Sequence, residues 1–171
     1  MSKILKGRAL SRGIVEGEAI VTKQPFSITA AFAFPLISNA KKMKVADRTH
    51  ELYRKIVKDK VLIFPIPIGT TTLGFVLLET IVRKIGPKAI VCMEGEPLMS
   101  SGAVAADIFF DLKFPIVDQI EFSELEKIDN GTMVRVNGDE GTVEILEDIV
   151  KKSNIAFQGI TLTKKRRKEC R

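Results

Sequence analysis

Between residues 61 and 118, three short apolar runs alternate with two stretches of helical spacing, and this alternation restricts the fold more than any other feature of the chain. The runs are "VLIF" at 61–64, "KAIVCM" at 88–93 and "KFPIVD" at 113–118. Each is too short for an ordinary helix, and a proline ends the first, precedes the second and lies within the third, which fits short buried strands. After the first run, Leu73, Val76, Leu77, Thr80, Ile81 and Lys84 follow helical spacing, and Gly86-Pro87 stops it, predicting a helix over 71–85. After the second, "MSSGAVAADIFFDL" sets serines ahead of a small, Ala-rich helical face.

The flanks read mainly as strand. "GRALSRGIVEGEAIVT" holds two β-type runs separated by Gly13 and Gly17. "KQPFSITAAFAFPLIS" reads as a further strand or two, punctuated by Pro25 and Pro35, and "NAKKMKVADRTHELYRKIVKDK" as a surface loop. "GTMVRVNGDEGTVEIL" is the clearest hairpin, two alternating strands around Asn137–Gly141. The expectation is a single mixed α/β domain over residues 1–148, with a barrel-like or layered sheet and helices packed outside. In such folds ligands sit in the loops at one end of the strands.

Composition limits the setting. The chain of 171 residues is 45% apolar and 28% charged, the balance of a soluble globular protein. No apolar run reaches the roughly 18–20 residues that cross a bilayer, and the basic start "MSKILKGRAL" lacks the apolar core of a signal peptide. The expected compartment is the cytoplasm. Cys92 and Cys170 are too few and too far apart for a disulfide framework or a metal site within the chain. Of the net charge of +6, the segment "KKRRKECR" at 164–171 supplies +5, six cations against Glu169. Residues 149–171 therefore read as a solvated basic extension on a nearly neutral body, and nucleic acid is not an expected partner.

The catalytic inventory is small. His50 is the only histidine and falls in the polar stretch, where a solvated surface role is expected, so a Ser-His-Asp triad has little to draw on. Glu94 and Glu96 follow a predicted strand and have the chemistry of an acid and a base, or of simple loop and capping residues. "IGTTT" at 68–72 opens a predicted helix. It is not a phosphate-binding P-loop, because no GxxxxGK[ST] is present. Its threonines either cap the helix or face a ligand at the positive helix end.

Three segments together, "LKGRALSRGIVEGEAIVTKQPFS", "KVLIFPIPIGTTTLGFVLLET" and "AIVCMEGEPLMSSGAVAADIFFDLKFPIVD", resemble the small subunit of the aconitase X group, from about Leu5 to Ile145. The resemblance implies a swivelling β/β/α domain of the aconitase mobile-domain type. It also implies a heterodimer with a large subunit that carries a [4Fe–4S] cluster, this chain holding no cofactor or metal of its own. The implied reaction removes water from a small phosphorylated or carboxylate hydroxy acid. In the archaeal mevalonate route this turns 5-phosphomevalonate into trans-anhydromevalonate 5-phosphate. In the family a serine just after a glycine is the base, and the shared Phe64-Pro65 and Gly69 place Thr70 on it as proton acceptor. Gly69 and Thr71 are then the substrate-binding neighbours. Where the family has arginines before this glycine, Ile66 and Ile68 stand here, with Pro67 for a glycine. These departures also fit a dehydratase of another hydroxy acid, or a catalytically degenerate swivel domain that binds and regulates a partner. The C-terminal half is also similar to the phosphohistidine swivelling domain, but Gly102 occupies the position of its histidine, which excludes phosphoryl carriage there.

Overall fold

A computed structural model describes residues 3–146; the extension expected at 149–171 lies outside the described residues. The elements run β1 (Lys3–Lys6), β2 (Arg8–Ser11), β3 (Ile14–Val21), α1 (Ile28–Ile37), β4 (Val61–Phe64), α2 (Leu73–Val82), β5 (Ala89–Cys92), α3 (Pro97–Phe110), β6 (Ile116–Asp118), α4 (Phe122–Leu125), β7 (Met133–Asn137) and β8 (Thr142–Ile145). They form one eight-stranded sheet in the order β1-β8-β7-β3-β4-β5-β6-β2. Its central strands β3, β4, β5 and β6 are parallel, and the remaining pairings are antiparallel. Strands β1 and β2 lie at opposite ends of that order, yet Gly7 alone separates them in the chain. The sheet must therefore curl back on itself, which gives it its barrel-like form.

Strand alternation divides the core into two. Leu62, Phe64, Ile90, Cys92 and Ile116 point to one face and pack with Phe32, Leu73, Leu77 and Met99 of the helices. Val61, Ile63, Ala89, Val91 and Val117 point to the other face and meet Leu5, Val134, Val136 and Val143 of the antiparallel strands. The outcome is a β/β/α layering, with both faces of the parallel strands buried. This explains why their sequences are apolar without alternation.

The alternation from 61 to 118 and the terminal hairpin stand as the sequence implies. Four local readings need correction. First, "KQPFSITAAFAFPLIS" is not strand but α1, capped by Ser27, whose Oγ accepts from the Ala30 N–H at 3.2 Å. Its buried positions Ile28, Ala31, Phe32, Pro35 and Leu36 do have helical spacing. The spacing is obscured because Phe34 and Ile37, 68% and 84% exposed, are apolar as well. Second, Gly17 does not separate strands: β3 runs through it, paired with Val134 of β7. Third, α3 starts at Pro97 rather than at the serines, with Glu96 as its first flanking residue. Ser100 and Ser101 lie inside it and donate back to the Pro97 and Leu98 carbonyls.

Fourth, residues 39–60 are irregular but not a solvated loop. Met43, Val45, Leu52 and Val57 are buried, and the Met43 N–H donates to the Ile85 carbonyl at 2.8 Å. His50 is buried too, against the expectation of a surface residue. Its ring stands edge-on to Phe26, with centroids 5.1 Å apart, and its Nδ1 accepts from the Leu52 N–H at 3.1 Å.

Candidate active site

Helices α1, α2 and α3 each follow a parallel strand, so their N-terminal ends gather at the C-terminal edge of the sheet, where ligands bind in open α/β folds. The segment after β4 is held extended by Phe26. The Phe26 N–H donates to the Ile66 carbonyl at 3.0 Å, and the Ile68 N–H donates to the Phe26 carbonyl at 2.9 Å. Pro65 continues the anchorage, its carbonyl accepting from the Met93 N–H at 2.9 Å. The loops after β3, β4 and β5 are thereby fixed to one another.

On this frame Thr70 is exposed. Its Oγ1 lies 2.8 Å from Thr29 Oγ1, in the first turn of α1, and 3.2 Å from Thr72 Oγ1, at the start of α2. Thr72 makes no side-chain cap bond, so its hydroxyl serves the cluster and not the helix. Three hydroxyls therefore meet between two helix N-termini, whose partial positive charge favours an oxyanion. Thr29 carries no local signal of this role, because the continuous apolarity of "SITAAFAF" has the look of a strand. Thr71 is exposed beside the cluster.

Gly69 marks the contact with α3. A β-carbon there would lie 2.3 Å from both carboxylate oxygens of Glu96, so only glycine leaves Glu96 its place. Glu96 Oε2 is buried without a hydrogen-bond partner, and Glu94 is exposed. Ile66, Pro67, Gly69, Glu94, Glu96 and Pro97 bound a cleft of about 520 Å³ that holds two carboxylates and no cation. The loop before α3 rests on a pair the sequence reading missed. Arg8 donates to both oxygens of fully buried Asp118, at 3.0 and 2.7 Å, and Asp118 Oδ2 accepts from the Gly95 N–H at 3.0 Å. The hydrogen bond to Asp118 holds the Arg8 guanidinium even further into its charged form.

Among the described residues no group of three or more His, Cys, Asp or Glu side chains is placed to hold a metal ion. Cys92 is buried, and burial with nearby Asp118 pushes its thiol up to about 12, far from the thiolate an iron–sulfur cluster takes. The described residues do not fit a cluster.

Residues 4–145 match the family described as the aconitase X swivel domain. The chain belongs to that family. It is 34% identical over 143 residues to the phosphomevalonate dehydratase small subunit of Methanosarcina acetivorans, covering 84% of this chain and 91% of the relative. The protein of the same name from Methanocaldococcus jannaschii is 35% identical over 142 residues, covering 83% and 97%. The crystal structure of Thermococcus kodakaraensis aconitase X in its holo-form superposes with a TM-score of 0.71 at 33% identity, covering 85% of this chain and 99% of that one. The barrel-like β/β/α architecture is thus that of the aconitase X swivel domain.

Proposed function

We propose that this chain is the small subunit of an aconitase X-type hydro-lyase that dehydrates 5-phosphomevalonate to trans-anhydromevalonate 5-phosphate, with Thr70 as the base. The names carried by its relatives support the reaction. The Thr70 hydroxyl, exposed between two helix N-termini, supports the assignment of the base. Activity requires a large partner subunit, on which the [4Fe–4S] cluster and part of the substrate site reside, in a cytoplasmic heterodimer.

In this reading Thr70 Oγ1 accepts the proton from the substrate carbon while the C–O bond of the hydroxyl group breaks. The C–H electron pair becomes the new double bond, and the hydroxyl leaves as water by taking up a proton equivalent to the one Thr70 released on ionising, so that no net proton is gained or lost. Thr29 donates to the Thr70 oxygen and, with the α1 and α2 N-termini, stabilises its anionic form before the transfer. Gly69 and Thr71 border the substrate. The threonine methyl stiffens χ1 relative to serine and fixes the direction of the hydroxyl.

One observation favours a second reading. The cleft beside Gly69 offers Ile66 and Pro67 as walls and two carboxylates, with no cation to receive a phosphate. This suits a dehydratase of another hydroxy acid, or a swivel domain that has become a binding and regulatory module. Co-expression with an aconitase X-type large subunit, followed by mass-spectrometric assay of 5-phosphomevalonate, separates the readings. A product lighter by one water supports the proposal. An assembled, cluster-loaded complex that leaves 5-phosphomevalonate unchanged overturns it in favour of the second reading.

A further inference from the structure

A second concavity lies against α1. It is a groove of about 690 Å³ between α1 and residues 40–54, and it shares no lining residue with the cleft beside Gly69. Its volume is within the roughly 300–1,000 Å³ of small-molecule sites. Phe34, Pro35 and Val45 supply apolar walls, and Lys41, Lys42, Lys44, Arg48 and Arg54 surround them. No carboxylate lines it. Among the described residues none of these five cations joins an ion pair. The nearest acids in sequence are engaged elsewhere: Asp47 accepts from the Thr49 hydroxyl and N–H, and Glu51 from the Thr22 hydroxyl and the Lys23 N–H.

This concentration of positive charge sits on a fixed frame. The Ala46 N–H donates to the Ala31 carbonyl at 2.9 Å, and the Arg54 N–H to the Val45 carbonyl at 2.9 Å. Fully buried Met43 and Val45 anchor the segment that carries the lysines. Charge argues against the chain's own segment 164–171 as occupant, since its six cations against one anion would be repelled. A simple anion would leave the apolar walls wet, and a neutral hydrocarbon would leave five like charges uncompensated.

We propose that the groove binds a small anionic amphiphile, an apolar chain with a phosphate head, at a site separate from the Thr70 cleft. The chain lies along Phe34 and Pro35, and the head is met by the lysines and arginines, whose attraction for a doubly charged phosphate exceeds that for any neutral group. This inference stands independently of the proposed reaction.

The protein carries its own reporter. Tyr53 is the only tyrosine, there is no tryptophan, and Tyr53 lines the groove with the Arg54 guanidinium 5.4 Å from its ring centroid. The full chain is titrated with decyl phosphate below its micelle concentration while tyrosine emission is followed. Decanol, inorganic pyrophosphate and a short oligouridylate serve as separate arms. A saturable change with decyl phosphate is expected, at least about tenfold tighter than with any other arm. It should weaken about tenfold in the exposed triple variant Lys41→Ala/Lys42→Ala/Arg48→Ala at unchanged melting temperature. Equal response to decanol, equal or tighter response to pyrophosphate or the oligouridylate, or indifference to the triple variant each overturns the proposal.

Discussion

Gly69 and Glu96 occupy one place between them, and the outcome of crowding it follows from which partner can yield. The obstacle to a β-carbon at Gly69 is the end of a flexible side chain, not backbone. Gly69→Ala should therefore displace the Glu96 carboxylate at a stability change under about 1 kcal/mol, and lower turnover by the assembled enzyme about tenfold. Unchanged turnover would remove Glu96 from the site. Cys92 is a contrasting case. Buried and with its thiol pushed up to about 12, it should stay unmodified when the native chain meets iodoacetamide at pH 8, as peptide mass spectrometry will show. Alkylation of Cys92 at the rate of a free thiol would show that this region opens. The glycine–threonine run at 69–72 stands out in the sequence, but the residues packed around it do not. Thr29, Arg8 and Asp118 come from three distant segments, and no spacing within one segment brings them together. His50 was misplaced for the same reason: the polar residues around it in sequence are not the ones around it in space, where Phe26 faces its ring.

Helix α2 crosses α3 at two glycines, and here the obstacle is backbone. A β-carbon on Gly102 would meet the Gly74 carbonyl oxygen at 2.3 Å. Gly102→Ala should cost about 2 kcal/mol, read as a lower denaturant midpoint, because the two helices must separate. Histidine at this position would be worse, so the steric frame agrees with the absence of a phosphohistidine. Helix starts differ in the same concrete way. Ser27→Ala removes a real cap bond and should cost about 1 kcal/mol, whereas Thr72→Ala, with no cap bond to lose, should cost clearly less. Equal losses at both positions would contradict the assigned caps. The elements most legible in the sequence were those whose burial leaves a simple pattern: β4, β5 and β6, buried on both faces, and the β7–β8 hairpin with its turn residues. Helix α1 was illegible because its solvent face carries Phe34 and Ile37, which hides the helical period behind continuous apolarity.

The whole molecule places its candidate chemistry on one rim of the sheet and leaves that rim open. Thr70, Thr71 and Glu94 are exposed, and Phe75 at the start of α2 is 75% exposed. An active site that must exclude water is incomplete in this state. The isolated chain should accordingly show no turnover and no stoichiometric iron, and should gain activity on addition of the large subunit. Stoichiometric iron in the chain alone would contradict the division of labour proposed for the two subunits. The mixed α/β class was legible from strand–helix alternation and a terminal hairpin, whereas the swivelling β/β/α layering followed only from the family resemblance. Substrate choice was not legible, since Ile66 and Ile68 stand where the family resemblance implies arginines.

If the Thr70 hydroxyl is the base, its removal in the assembled enzyme must all but abolish turnover without disturbing the fold. Thr70→Val keeps the shape and removes only the hydroxyl, so turnover of 5-phosphomevalonate by the complex should fall by about 10²–10⁴-fold with the melting temperature nearly unchanged. Thr70→Ser, which keeps the hydroxyl and drops the methyl, should retain or raise it. Full activity in Thr70→Val would rule out Thr70 as the base and leave it a bystander in its hydroxyl cluster.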